Sequence, residues 1–454
     1  MPTRSEPRID ARPEPAKPAP RSFARDGAAT MLVTAATMAL GLLTGILVAR
    51  TLGPDGRGAL AAVLTTTQLL GWLFGMGCGK AVTYALSRDP AAGGRLLSTW
   101  TLMLIPVSAA AIAAGLFLLP TLLAAQPADT LGLARLYLPI IALALLSELM
   151  LGLLLGDQDF RTFNALNFIQ PAGVAVAYLA LWAAGRFTVE SAVAAQAAMS
   201  ALVLVAATAR ILRRHGIGRP DPALGRRTAW YALRTHGDVV GGVVTQRLDL
   251  LVIPAYLSAA QVGLYALATS LSWLIVSLSG ALASVVMPAA TRRGRSGREL
   301  VLASLQATFL VGGVLGGGLF VFADIAIHIV YGPAFAASAL PLRLLLPGAV
   351  LYAAASILLN GLYAENRPFT ATMAHLLGMA ATMAGLLLFL RDGGILAAAA
   401  VSTVAYALVF LTAAALYRRA TGLPWRAFLP DPPLLLSMPR RLLGRPLQAG
   451  AGGE

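Results

Sequence analysis

The chain of 454 residues is 57% hydrophobic and only 12% charged, which excludes an ordinary soluble globular protein. Its net charge of +15 does not indicate a nucleic-acid partner, because the basic residues lie in short clusters between apolar runs and not on one domain. The single cysteine, Cys78, excludes an internal disulfide and a multi-cysteine metal site. We therefore predict an all-α polytopic membrane protein.

The predicted elements begin after a tail rich in proline and charge, residues 1–26, which we interpret as disordered and in which no signal-peptide pattern is visible. Twelve apolar segments long enough to cross a bilayer follow. Spans 1–6 make an N-lobe (27–213), a basic linker covers 214–234, spans 7–12 make a C-lobe (235–418), and a second tail covers 419–454. The predicted spans lie at 28–49, 59–82, 97–119, 133–155, 164–184, 190–212, 235–257, 261–287, 300–323, 338–363, 369–390 and 394–417.

The distribution of Lys and Arg predicts the orientation of these spans. The two tails and the even-numbered loops, with the adjoining span ends, hold 27 of the 35 Lys and Arg residues. The opposite, outer loops and span ends hold six, which are Arg50, Arg57, Arg135, Arg186, Arg343 and Arg391. Lys80 and Arg247 lie deeper within spans. Because basic residues favour the cytoplasmic side, we expect a protein of the bacterial cell membrane with both termini in the cytoplasm.

The two halves of the chain repeat at one spacing. Three pairs of residues, each 205 apart, match between the halves: Leu52 with Leu257, Gly58 with Gly263, and Gly156 with Gly361. At the same spacing, small or polar residues of span 1 match those of span 7: Thr37 with Gly242, Gly41 with Gln246, and Thr44 with Asp249. Since each half has six spans, the repeats run in the same direction. We expect two pseudo-symmetric lobes that face each other across a cleft lined by their first spans.

Residues 241–254, GGVVTQRLDLLVIP, place charge in the middle of span 7. Arg247 lies close to the expected midplane of the bilayer, where charge is costly and usually faces a cavity or a partner. On a helical wheel it points away from a second polar stripe, and that stripe holds Asp238, Gly242, Thr245, Gln246 and Asp249. The helix thus has two polar directions, and the sequence does not decide which of them faces a lumen.

Three motifs carry a resemblance that extends over nearly the whole chain outside its tails: LGPDGRG after span 1, RLDLL in span 7 and VGLYALA in span 8. In them the chain resembles the lipid-linked oligosaccharide flippases of bacterial polysaccharide biosynthesis, in the multidrug/oligosaccharidyl-lipid/polysaccharide superfamily. The resemblance implies two lobes of six spans that carry an undecaprenyl-diphosphate-linked oligosaccharide from the cytoplasmic to the outer leaflet by alternating access. The chain is less similar to the peptidoglycan-precursor flippases, which carry two further C-terminal spans.

The substrate implied by this resemblance directs attention to Arg247. A diphosphate that crosses a low-dielectric region needs a fixed cation, and a guanidinium offers permanent, bidentate contacts. We predict that Arg247 binds substrate, with Gln246 and Thr245 beside it. The alternative is that Arg247 forms a structural ion pair with an acid on another helix, such as Glu148. The stripe expected to line the cavity comprises Thr37, Gly41, Thr44, Asp238 and Gly242.

Two carboxylates are candidates for coupling transport to a proton or a cation. Asp249 lies in span 7, and Glu148 lies about halfway along span 4. Buried carboxylates at such depths commonly bind protons or cations, although Glu148 is equally well explained as a hydrogen-bonded structural group.

The remaining polar groups indicate no cofactor, metal or catalytic site. Asp157 and Asp159 resemble the paired carboxylates with which some glycosyltransferases hold a metal, but a solvated turn after span 4 explains them. The four histidines show no metal-ligand spacing. Lys80 is close enough to the cytoplasmic end of span 2 for its side chain to reach the interface.

Three functions remain open at this point. The first is the flippase, which is not an enzyme; the second is a drug or metabolite antiporter of the same superfamily. The third is a membrane glycan polymerase or glycosyltransferase, which is disfavoured because the outer loops are short and nearly free of Arg, Asp and His. The expected partners are the lipid-linked oligosaccharide, the lipid bilayer and polysaccharide-assembly proteins.

Overall fold

The computed structural model describes residues 20–293, 295–365 and 367–430, and within them all side chains except those of residues 20–32, 235, 237–245, 278–296 and 368–369. This described part is helical and contains no strand. Its α-helices are α1 (Pro20–Phe74), α2 (Cys78–Arg88), α3 (Gly93–Leu122), α4 (Ala128–Tyr137), α5 (Ile140–Gly156), α6 (Phe160–Ala183), α7 (Val189–His215), α8 (Pro222–Val252), α9 (Ala259–Arg293), α10 (Arg295–Tyr331), α11 (Ala339–Ala364) and α12 (Pro368–Thr421).

These helices form twelve membrane passes. Within the described ranges, nine helical segments are long and apolar enough to cross a membrane. Two of the nine, Val33–Phe74 and Thr370–Thr421, hold two passes each, because their helices break at Gly53 (φ 67°) and Gly394 (φ 55°). Glycine adopts such positive φ values without the steric cost of a Cβ atom. Helix α8 supplies the remaining pass, and the predicted all-α class with two six-helix lobes is confirmed.

Helix α8 begins at Pro222, thirteen residues before the predicted start of span 7. Asp221 caps it by accepting a hydrogen bond from the backbone N–H of Leu224 at 3.0 Å, and proline is well suited to the first helical turn. Part of the predicted linker is therefore helical and packs on the N-lobe, where the indole N–H of Trp100 donates to Thr228 at 3.0 Å. The second half of α8 packs in the C-lobe core, so this helix joins the two lobes.

The two predicted tails are ordered in part. Of residues 1–26, residues 20–26 belong to α1 and residues 1–19 lie outside the described part. After α12, a short turn at Trp425–Phe428 returns to the C-lobe. Phe428 is fully buried there, and the amide of Gln306 donates to the carbonyl oxygen of Leu429 at 2.8 Å. This stretch of the C-terminal segment is therefore part of the C-lobe.

The helix ends lie on two faces of the molecule. On one, which we call the basic face, Arg95 pairs with Asp221 at 3.4 Å in the N-lobe, and Arg298 pairs with Glu365 at 2.8 Å in the C-lobe. We call the other end of the helices the opposite face. Every cavity described below lies between these two faces, so the contacts at each face determine from which side a ligand enters.

The two lobes meet at the opposite face through the repeat-related glycines Gly58 and Gly263. A Cβ atom on Gly58 would lie 1.7 Å from the carbonyl oxygen of Ala259, and one on Gly263 would lie 2.0 Å from that of Pro54. These distances are far inside van der Waals contact, so any other residue would force the backbones of α1 and α9 apart. Two residues predicted only to mark the repeat thus form a close backbone contact between the lobes.

Polar contacts strengthen this closure. The amide of Gln126, between α3 and α4, donates to the carbonyl oxygens of Pro254 at 3.0 Å and Leu257 at 2.8 Å. The guanidinium of Arg50 donates through Nε to the carbonyl oxygen of Val330 at 2.8 Å. Carbonyl groups at helix ends lack intrahelical donors and accept such bonds readily. The opposite face is therefore held shut by both backbone packing and hydrogen bonds.

Candidate functional site

A cavity of about 460 Å³ lies between the lobes, and we call it the interlobe cavity. Helices α1, α6 and α7 form its N-lobe wall, and α8 and α9 form its C-lobe wall. No Asp or Glu of the described chain lines it, and two arginines do, so its charge is positive. Its polar and charged lining residues are Thr44, Arg57, Thr65, Gln170, Gln196, Arg247 and Ser270.

Arg247 reaches the interlobe cavity from α8, as a half-buried side chain. Its guanidinium carbon lies 4.5 Å from the centroid of the Trp273 ring, a cation–π contact that fixes the side chain without neutralising it. Among the described side chains, no carboxylate forms an ion pair with Arg247. The structure thus resolves the question left open by the helical wheel: the Arg247 direction of α8 faces the cavity.

Arg57 is the second cation of the cavity, and the sequence analysis missed it by assigning it to an outer loop. The break at Gly53 lets α1 restart at once, so Arg57 lies on a helix that points it inward. It is 8% exposed, and its Nη1 donates to the carbonyl oxygen of Gly45 at 2.7 Å. Its Nε is buried without a hydrogen-bond partner among the described atoms. The LGPDGRG motif contained this residue, but hydropathy alone placed it outside the membrane.

The second polar direction of α8 faces the interior of the C-lobe. Asp249, 3% exposed, accepts hydrogen bonds from the hydroxyls of Tyr265 at 2.5 Å and Ser402 at 3.3 Å. The amide of Gln246 donates to the hydroxyl of Tyr352 at 2.6 Å. Gln246, predicted to bind substrate beside Arg247, therefore lies in this C-lobe cluster and not at the cavity, because residues adjacent on a helix point about 100° apart.

The predicted stripe on span 1 lies partly at the cavity. Gly41 and Thr44 line it, whereas Thr37 donates its hydroxyl to the carbonyl oxygen of Thr34 at 2.8 Å and is not among the lining residues. Three further predicted site residues on α8 have side chains outside the described residues: Asp238, Gly242 and Thr245. Among the described residues, α1 presents Gly41 and Thr44 of its stripe to the cavity, and α8 presents Arg247.

A second and larger cavity of about 920 Å³ lies within the N-lobe, and we call it the N-lobe chamber. Glu148 lines it and accepts a hydrogen bond from the backbone N–H of Gly79 at 3.2 Å. Lys80 is exposed into the same chamber, although we expected it to reach the interface. The charged side chain that interacts with Glu148 is Lys80, and no ion pair between Glu148 and Arg247 occurs among the described side chains, so the alternative in which Glu148 neutralises Arg247 is wrong.

The carboxylates after span 4 form ion pairs at the basic face. Asp159 caps α6 through the backbone N–H of Thr162 at 3.2 Å and pairs with Arg210 at 2.7 Å. Partial burial raises the pKa of Asp159, but the hydrogen bonds from Arg210 and Thr162 outweigh it and hold the pKa below its usual value. Asp157 pairs with Arg214 at 3.2 Å and shares a hydrogen bond of 2.6 Å with His215. Both carboxylates are thus paired, not simply solvated, and no group of three metal-ligating side chains occurs within the described residues.

Comparisons with known proteins agree with this fold. The lipid II flippase MurJ in an inward closed conformation matches with a TM-score of 0.75 at 14% identity, covering 92% of this chain and 99% of that one. An inward-facing MATE multidrug transporter of the MOP superfamily gives 0.69 at 13% identity, covering 87% and 98%. An outward-facing one gives 0.55 at 13% identity, covering 88% and 96%. At these identities the likeness shows the fold alone.

No functionally curated protein is significantly similar to the chain. Among protein families, the one described as "Polysaccharide biosynthesis protein" matches residues 23–293, well over half of the 454 residues. The chain is a multi-pass membrane protein, and it belongs to this polysaccharide biosynthesis protein family.

Proposed function

We propose that the protein translocates an undecaprenyl-diphosphate-linked oligosaccharide across the bacterial cytoplasmic membrane for polysaccharide biosynthesis. The observation that carries this proposal is the pair Arg57 and Arg247, which enter one cavity from opposite halves of the chain. Their charges are not neutralised by any described carboxylate of that cavity. Asp249, two residues away on the same helix, attracts the charge of Arg247 but its carboxylate is hydrogen-bonded in the C-lobe cluster, so the cavity itself presents two cations and suits an anionic ligand.

A diphosphate fits this arrangement. Two guanidinium groups offer planar, permanently charged donors that match phosphate oxygens in a bidentate manner. Arg57 also has a buried Nε without a hydrogen-bond partner among the described atoms, which a phosphate oxygen would satisfy. A cation-exporting antiporter of the same superfamily would need an acidic group in the cavity. The interlobe cavity has none among its described residues, and this favours the flippase.

Alternating access follows from the closed opposite face. The glycine contact and the bonds of Gln126 block the cavity on that side, so loading occurs from the basic face. We assign the basic face to the cytoplasm, with both termini there, from the excess of Lys and Arg. The TM-score is higher with the inward-facing MATE transporter than with the outward-facing one, which supports this direction of access.

Coupling is assigned to the buried carboxylates, with Asp249 as the leading candidate. Asp249 and Arg247 lie two residues apart on α8, one in the C-lobe cluster and the other in the cavity. A rotation or shift of α8 that follows a change in protonation or cation binding at Asp249 would move Arg247 at the same time. Glu148 is the second candidate. Polysaccharide-assembly proteins are expected partners at the basic face.

The proposal is tested by flipping in reconstituted vesicles, normalised to folded protein, with the lipid-linked saccharide that accumulates in a deletion strain as substrate. Arg247→Ala and Arg57→Ala should each lower flipping at least about 10-fold, since truncating a charge-assisted contact costs about 1.5–3 kcal/mol. Arg247→Lys should retain part of the activity because the charge remains. Arg343→Ala serves as the control, because Arg343 pairs with Asp324 away from the cavity. Parental flipping by both alanine variants would exclude the proposed site.

A further inference from the structure

The N-lobe chamber is larger than the interlobe cavity, and the diphosphate site leaves it unused. It is about 920 Å³, against about 460 Å³ for the interlobe cavity. Pockets for small molecules occupy roughly 300–1,000 Å³, so the chamber has room for a ligand group larger than a diphosphate. Its extent is also suitable, since it runs from Ser87 near the basic face to Tyr137 in the α4 helix.

The two cavities are adjacent. Leu64, Gln170 and Gln196 line both of them, so a ligand that passes between these side chains would reach from one cavity into the other. Gln170 is oriented by its amide, which donates to the hydroxyl of Ser200 at 3.2 Å, and Ser200 itself lines the chamber. A group attached to a phosphate between Arg57 and Arg247 would pass this pair of glutamines as it enters the N-lobe.

The chamber and the interlobe cavity differ in charge. The interlobe cavity has two arginines and no described carboxylate, whereas the chamber has one cation, Lys80, and one anion, Glu148. These two charges sum to zero, so the chamber does not compete for the diphosphate. A neutral, polar group suits it better than a second phosphate does.

The lining of the chamber is suited to sugars. Sugar hydroxyls both donate and accept hydrogen bonds, as do amide and hydroxyl side chains, and the C–H faces of a sugar ring pack on aromatic rings. Trp72 is half-buried and lines the chamber. Tyr84 and Tyr231 stack at 4.6 Å with 5° between their planes and form a rigid wall. The amide and hydroxyl residues that line the chamber are Thr67, Gln68, Thr83, Ser87, Ser147, Gln170, Gln196 and Ser200.

We infer that the N-lobe chamber is the glycan subsite of this transporter, which holds the first sugars of the oligosaccharide while Arg57 and Arg247 hold its diphosphate. This inference rests on the proposed function, because it takes the ligand to be one molecule with an anionic and a glycosidic part. The N-lobe then recognises the glycan, whereas Arg57 and Arg247 in the interlobe cavity recognise the diphosphate that all such lipids carry. Glycan selectivity resides at Gln68 and Trp72 in the chamber wall.

The inference is tested by the affinity of detergent-solubilised protein for two probes: undecaprenyl diphosphate, and the same lipid carrying a tetrasaccharide of N-acetylglucosamine. The sugars should increase affinity about 10-fold or more, which corresponds to about 1.4 kcal/mol. Gln68→Leu and Trp72→Leu should abolish this increment and leave binding of the bare lipid unchanged. Gln68 is exposed into the chamber, so its near-isosteric replacement leaves the packing of the lobe intact. Leu73→Ala, outside the chamber lining, is the control.

The outcomes separate this inference from the proposed function. Equal affinity for both probes, or an increment that survives in both chamber variants, overturns the glycan subsite. Arg57→Ala and Arg247→Ala should weaken both probes equally, and their failure to do so would overturn the diphosphate site instead. Loss of bare-lipid binding in the Gln68→Leu variant would contradict the division of the ligand between the two cavities.

Discussion

The two halves of the chain share the glycines that bring the lobes together at the opposite face, but they differ in the positions of the arginines that line the interlobe cavity. Gly58 and Gly263 are related by the 205-residue repeat and contact each other at the opposite face. Arg57, one residue before Gly58, corresponds to Val262, which is buried in the C-lobe core. Arg247 corresponds to Leu42 of the first half. Each half therefore contributes one arginine at a position where the other half has an apolar residue.

The contact between the lobes and the ligand site therefore place different requirements on the two repeats. A close glycine contact across a pseudo-two-fold axis needs the same small residue on both sides, because either Cβ atom would clash. A site for one asymmetric ligand has no such requirement. Charges placed at unrelated positions create a single preferred orientation of the diphosphate, whereas a symmetric pair would bind it equally well in two.

The largest expected effect on flipping comes from a substitution that separates the two glycines of the interlobe contact. Gly58→Ala places a Cβ atom 1.7 Å from the carbonyl oxygen of Ala259, so α1 and α9 cannot close and the opposite face stays open. Flipping should fall about 100-fold or more. Gly132→Ala is the matched control, since nothing lies within 4 Å of its added Cβ atom. A Gly58→Ala protein that flips at the parental rate would show that this contact is not needed for the transport cycle.

The placement of the arginines is tested by moving the charge of Arg247 to the repeat-related position in the first half of the chain. Arg247→Leu should lower flipping by about 10-fold or more through loss of a charge-assisted contact. Adding Leu42→Arg, which places the arginine at the repeat-related position of α1, should not restore it. Both variants are compared in vesicles at equal amounts of folded protein. Recovery of flipping in the double variant would mean that the site needs two positive charges but not their particular placement.

A smaller effect is expected from the two carboxylates that face away from the interlobe cavity. Asp249→Asn should change the dependence of flipping on pH or on sodium, because Asp249 lies in the C-lobe cluster on the same helix as Arg247. Glu148→Gln, in the N-lobe chamber, is the parallel variant. Flipping rates measured between about pH 5.5 and pH 8.5, with and without sodium, distinguish the two. Parental profiles in both variants would remove both residues from the coupling mechanism.

The smallest effect concerns stability at the basic face. The pKa of Asp159 is held below its unfolded value of about 3.9, so its ion pair with Arg210 stabilises the fold above that pH and loses this contribution as the pH falls through the folded pKa. Asp159→Asn should lower the Tm by about 1–2 °C at pH 7 and by less near pH 3. Asp129→Asn, at an exposed position in α4, is the control. An equal decrease at both pH values would contradict the assigned role of the charge.

The sequence predicted the architecture because a membrane imposes strong constraints on it. Apolar length identifies a pass, since every backbone polar group must be satisfied within the helix. The 205-residue spacing located Gly58 and Gly263, and depth along span 7 located Arg247 in a position that the structure places at a cavity. These features depend on local sequence and on a repeat, and both can be read from one chain.

What the sequence did not predict depends on tertiary geometry. Arg57 was missed because the break at Gly53 allows a helix to restart within one residue, so that hydropathy could not separate a loop from a helix. The Asp221–Pro222 helix start could have been recognised from its capping residue and its proline. Gln246 was placed at the cavity although the rotation of α8 is set by its packing against Tyr352 in the C-lobe. A helical wheel gives the relative directions of side chains but not what faces them.

The most direct test of the account is the affinity of solubilised protein for undecaprenyl diphosphate in the parental protein, in Arg57→Ala, in Arg247→Ala and in the double variant. If one diphosphate contacts both guanidinium groups, each single variant should weaken binding about 10-fold to 100-fold. The double variant should then weaken it by a factor different from the product of the two, because the residues share a ligand. Parental affinity in either single variant would contradict the claim that two arginines, one from each half of the chain, form the substrate site.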